Sequence, residues 1–132
     1  MGLTSAHFSA GELSCRHCGI NGVTRELLDA LEAFRLRVGA PVSVNCAYRC
    51  AIHNAKMGGV PNSQHILGRA ADIRVAGKTA RELYELALQV PQIHGLGISD
   101  YDEYLHLDVR RAVEVATWCY NELGRQIPWY EV

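Results

Sequence analysis

Ser63-Gln-His65-Ile-Leu-Gly68-Arg-Ala-Ala-Asp72 decides how this chain is read. It places an imidazole and a carboxylate on either side of a turn at Gly68, and a second stretch, Glu103-Tyr-Leu-His106-Leu-Asp108, adds another imidazole on a run that alternates like a strand. Two histidines and one carboxylate suit a tetrahedral zinc ion whose fourth position is left to water, which is the pattern of a hydrolytic rather than a structural site. Two histidines and a carboxylate also accept other divalent ions.

Around these stretches the pattern predicts an α+β domain. Leu27, Leu31, Phe34 and Val38 recur at helical steps, with Thr24 as cap and Gly39 before Pro41 as stop. Val42-Ser-Val44 reads as a short strand delivering Asn45 to Arg49, residues 51–57 as a brief helix, and Gly58-Gly59-Val60-Pro61-Asn62 as a loop feeding His65. Ala70 to Val75 reads as a strand, and Thr79 with Glu82 forms a capping box that opens a helix to about Gln89, with Leu83, Leu86, Ala87 and Val90 inward. Glycine-rich His94 to Ile98 and then Tyr104 to Arg110 read as strands; on the latter, Tyr104, His106 and Asp108 share one face and Leu105, Leu107 and Val109 face the core. Residues 1–22 read as an irregular cover with one turn near Ala10 to Leu13. The tail, with Val113, Val115, Trp118, Ile127 and Trp129, has no clean period, and Trp118 is expected as a lid on the core.

At 132 residues the chain is expected to be one domain with a real core, and 48% hydrophobic and 20% charged residues are ordinary for a soluble protein. A formal charge of -1 favours neither nucleic acid nor an anionic membrane as partner. No apolar run approaches the roughly 20 residues that cross a bilayer, and Met1 to Phe8 lack the features of a secretory signal, so synthesis in the cytoplasm and no membrane insertion are expected. Five cysteines are an odd set. Cys15 and Cys18 have zinc-knuckle spacing that Cys46 and Cys50 could complete; packing as buried thiols and pairing are the alternatives.

Several spaced motifs also carry a resemblance. Asn45-Cys-Ala-Tyr48-Arg49, His53-Asn54, Gly58-Gly59, Ser63-Gln-His65, Gly68, Ala70-Ala-Asp72, Gly95-Leu-Gly97 and His106-Leu-Asp108-Val-Arg110 resemble, in order, the motifs of the zinc D-Ala-D-Ala carboxypeptidase family over roughly Phe8 to Trp118. That family includes bacterial D,D-carboxypeptidases and dipeptidases and phage cell-wall endopeptidases, and shares its metal-site fold with the hedgehog signalling domain. The resemblance implies a small antiparallel sheet with helices packed on one side. It implies that His65, Asp72 and His106 bind zinc, that Glu103 is the general acid/base, and that Arg49 steadies negative charge on the substrate. Ser63 either contacts substrate or the ligand loop, or caps backbone in its own turn. Asp100 and Asp102 crowd the Glu103 loop and compete for the proton-accepting role, and Asp108 either orients an imidazole or pairs with Arg110 and Arg111. Cys46-Ala47 stands where many relatives have Ser-Gly.

The implied function is zinc-dependent hydrolysis of a peptide bond in peptidoglycan stem peptides, beside a D-amino acid, by a monomer acting at the cell wall in a phage or prophage setting. The alternative is a zinc-stabilised cell-wall or protein binding module without catalysis.

Overall fold

The computed structural model describes residues 2–60 and 62–128, so Pro61 of the loop and Trp129 of the tail lie outside it. Four helices, α1 (Ala10–Leu13), α2 (Arg25–Val38), α3 (Ala51–Lys56) and α4 (Ala80–Ala87), accompany six strands, β1 (Ser43–Cys46), β2 (Ala70–Arg74), β3 (Gly95–Ser99), β4 (Tyr104–Asp108), β5 (Ala116–Tyr120) and β6 (Gln126–Pro128). The strands form one sheet in the order β1-β2-β4-β3-β5-β6. This is the expected α+β arrangement with one addition: the mixed tail supplies two strands, and β5 runs parallel to β3 while every other pairing is antiparallel.

The helices start and stop where side chains satisfy the backbone. Thr24 accepts the Leu27 N–H, and Gly39 closes α2 in the left-handed region at φ 69°. Thr79 and Glu82 exchange the two bonds of a capping box at α4, and Ser9 with Glu12 does the same for the single turn of α1. Leu27, Leu31 and Phe34 of α2 and Leu83 and Ala87 of α4 bury completely, in one cluster with Ile73, Leu96, Ile98, Leu105 and Leu107 from the sheet. Alternation then dictates the opposite face. His106 and Asp108 stand there, as the strand reading requires, and Trp118 joins them beside His106 instead of covering the core. Among the described residues no helix is long and apolar enough to cross a membrane.

Two leucines on α2 separate core from surface: Leu31 is fully buried, whereas Leu36 is 80% exposed. Leu31→Ala is expected to lower the unfolding free energy by about 2–5 kcal/mol in urea denaturation, and Leu36→Ala to change it by no more than about 0.5 kcal/mol.

Candidate metal centre

Each of the three expected ligands is delivered by a different device. Asp72 and His106 are directly opposed on the antiparallel pair β2/β4, so register alone makes them neighbours. His65 comes from the turn before β2. Its N–H donates to Ser63 Oγ at 3.2 Å, and its carbonyl accepts the N–H groups of Gly68 and Arg49. Gly68 sits at φ 71°, and a Cβ there would run into the Gly22 carbonyl, so only glycine lets the turn lie against the segment leading into α2. The Gly68 carbonyl in turn accepts the Thr24 N–H at 2.9 Å, tying the turn to the α2 cap.

The outcome is convergence. One ligand atom from each of His65, Asp72 and His106 lies within 4.8 Å of the others, close enough to share an ion. Asp72 Oδ1 is 3.3 Å from His65 Nε2 and 3.0 Å from His106 Nδ1. The far nitrogen of each ring is engaged elsewhere: His65 Nδ1 donates to the Ala47 carbonyl at 2.8 Å, and His106 Nε2 to Asp108 Oδ2 at 2.7 Å. Such bonds fix the tautomer and aim the remaining nitrogen at the shared point, as in metal-ligating histidines. The donor set therefore fits a divalent ion. Cys46-Ala47 is closer to this centre than the sequence indicated, since the Ala47 carbonyl orients His65 and Cys46 Sγ lies 4.0 Å from the same ring.

Asp108 hydrogen-bonds the His106 ring and pairs with Arg110, in a buried position rather than at the surface. It is fully buried, receives His106, and is gripped by Arg110 through Nε and a terminal nitrogen, each at 2.8 Å, while the Arg110 guanidinium lies 4.8 Å over the Trp118 ring. The glycines of β3 make room for this assembly. Gly95 is opposite Asp108 and Gly97 opposite His106; a Cβ at Gly95 would meet the Asp108 carboxylate, and one at Gly97 would come 2.5 Å from Trp118 Nε1.

Electrostatics follows from these contacts. Burial disfavours charge on His106, but the hydrogen bonds and charges of Asp108 and Asp72 outweigh it and hold the imidazole up to about 9. Burial likewise opposes charge on Asp72 and is overcome by the two imidazoles, which keep its carboxyl well below the usual carboxylate range. The bare site thus carries a proton that an arriving cation must displace.

Beside the three donors opens a cleft of about 540 Å³ that Arg49, Ser63, Tyr104, Tyr120, Arg125 and Gln126 help to line. Arg49 Nε is buried without a hydrogen-bond partner among the described residues, and Tyr104 and Tyr120 pack 5.5 Å apart. Burial, then the negative charge of Asp72, pushes both phenols up, so they stay neutral. The acids of the 100–103 loop lie outside this lining. Asp100 pairs with Arg81 at 2.9 Å, and Glu103, at φ 52°, accepts the Ala80 N–H at 3.3 Å at the start of α4. His53 stacks on His17, and His94 lines a separate groove with Arg69 and Arg110. Tyr120, Arg125 and Gln126 escaped the sequence reading; the only available signal was that Tyr120 follows Trp118 by two residues and so shares its face.

Removing the support for His106 tests this geometry. Asp108→Ala is expected to weaken divalent-metal binding about 10–100-fold in a chelator competition, and Gly95→Ala to act in the same direction by displacing Asp108. In chelated protein His106 is raised above its ordinary 6.5, so its stabilising contribution is complete below that pH. It is lost as pH rises through about 9, and the urea midpoint of the chelated protein falls across that window.

The sequence profile of the family described as Peptidase M15 matches residues 6–108, which include the three donors His65, Asp72 and His106 as well as Ala47 and Asp108. No curated protein matches the chain. With most of its length covered by that profile, and with three side chains able to hold a metal ion converging in the structure, the chain belongs to the peptidase M15 family.

Proposed function

We propose that the chain acts as a single zinc peptidase domain, monomeric, that hydrolyses a peptide bond beside a D-amino acid in peptidoglycan stem peptides, with His65, Asp72 and His106 as ligands. The observation that carries this reading is the convergence of three oriented donors at the wall of an open cleft. Zinc held there supplies Lewis acidity and lowers the pKa of water to roughly 7. Arg49 stays charged at any working pH, so it holds the carbonyl oxygen as negative charge develops or receives a substrate carboxylate. Ser63 contributes by shaping the His65 turn and the cleft wall. Glu103 is proposed as proton acceptor. That role requires its carboxylate to leave the Ala80 N–H and turn toward the cleft, whose lining does not include it. The proposed place of action is the cell wall, in the setting of phage or prophage lysis.

The resting position of Glu103 favours a second reading, a zinc-stabilised module that binds the wall without cutting it. Digestion of purified peptidoglycan followed by mass spectrometry of the fragments separates the two. The hydrolase reading expects new peptide termini that vanish with chelator, about a 10²-fold or greater loss of kcat in Arg49→Ala, and a comparable loss in Glu103→Gln with metal content unchanged. Wall binding by the metal-loaded protein with no new termini would establish the module instead, and full activity in Glu103→Gln would remove Glu103 from the mechanism alone.

A further inference from the structure

A second cluster of metal-ligating side chains lies outside the cleft. The Sγ atoms of Cys15, Cys18 and Cys50 lie within 4.8 Å of one another although 35 residues separate the first from the last. Around them the backbone is folded as a knuckle: Gly19, at φ 76°, returns its N–H to the Cys15 carbonyl at 2.9 Å, and the Cys15 N–H bonds Ile20 at 2.7 Å. Two amide groups, from His17 and Cys50, point at Cys15 Sγ at 3.4 Å each. Cys50 Sγ accepts the His53 N–H as the cap of α3 and lies 3.6 Å from His17 Nδ1.

We propose that Cys15, Cys18, Cys50 and His17 Nδ1 bind a second zinc ion, a closed structural site distinct from the one in the cleft. Zinc–sulfur bonds near 2.3 Å place tetrahedral sulfurs about 3.8 Å apart, so the three thiols need only small adjustments to reach it. Converging amides stabilise a thiolate, which a metal requires and a disulfide does not. Burial opposes ionisation of Cys15, yet the amides of Cys50, Cys18 and His17 outweigh it and bring the thiol to about 6. A disulfide between any two of the cysteines would leave the third as a lone thiol in the cluster, and Cys18 is exposed, so packing as a buried apolar thiol does not account for it. Cys46, the other cysteine that could have completed the set, faces His65 instead. Binding releases the remaining thiol protons to solvent and staples the segment of α1 to Cys50, the neighbour of Arg49.

Metal content by mass spectrometry of inductively coupled plasma, on protein purified under reducing conditions and equilibrated with zinc, tests the site without reference to peptide hydrolysis. Two zinc ions per chain are expected, falling to one in Cys18→Ser and to one in His65→Ala/His106→Ala. Cobalt in the wild-type chain is expected to give the intense near-ultraviolet sulfur-to-cobalt absorption, lost in Cys18→Ser, and His17→Gln to weaken the sulfur site at least tenfold. A single zinc in the wild type with all three thiols open to a thiol reagent, or a disulfide within the trio in protein kept reduced, would overturn the proposal.

Discussion

The clamp on His106 is the interaction on which the rest of the structure depends. Its ring is held between Asp72 across the strand pair and Asp108 two residues along its own strand, and Asp108 is anchored by Arg110. A buried carboxylate is costly unless paired, and here the pairing is complete. That arrangement leaves one imidazole nitrogen and one carboxylate oxygen directed at the same point, and His65 only has to be brought alongside.

Space for the clamp comes from small residues on either side of β4. Ala70 on β2 and Gly95 on β3 both oppose Asp108, and Gly97 opposes His106. On the other face of the same strands Ile73, Leu96, Ile98, Leu105 and Leu107 bury against the helices. One sheet thus divides its labour by alternation: the apolar face stabilises the fold, and the polar face carries the three candidate metal donors with Trp118 beside His106.

Charge is divided between the two ends of the site. Asp72 and Asp108 supply the negative charge at the donors, whereas Arg49 and Arg125 bring positive charge to the cleft walls. Arg49 and Cys50 are consecutive, so the loop that brings the guanidinium to the cleft also brings a thiol to the cysteine knuckle, and the order of one bears on the position of the other.

What the sequence by itself determined is whatever rests on local periodicity and short-range hydrogen bonds: α2 from the Leu27, Leu31, Phe34 stripe between Thr24 and Gly39, α4 from the Thr79–Glu82 box, and the facing of His106 and Asp108 from strand alternation. The donor types of His65, Asp72 and His106 were legible for the same reason, since ligand chemistry is written in residue identity. Only the tertiary structure decided the Ala47 carbonyl on His65, the parallel docking of β5 that brings Tyr120 into the cleft, the turning of Glu103 toward Ala80, and the choice of Cys50 over Cys46 as companion to Cys15 and Cys18. Each of these depends on contacts between segments distant in the chain, whose register is set by packing the whole core and leaves no periodic trace in any one segment.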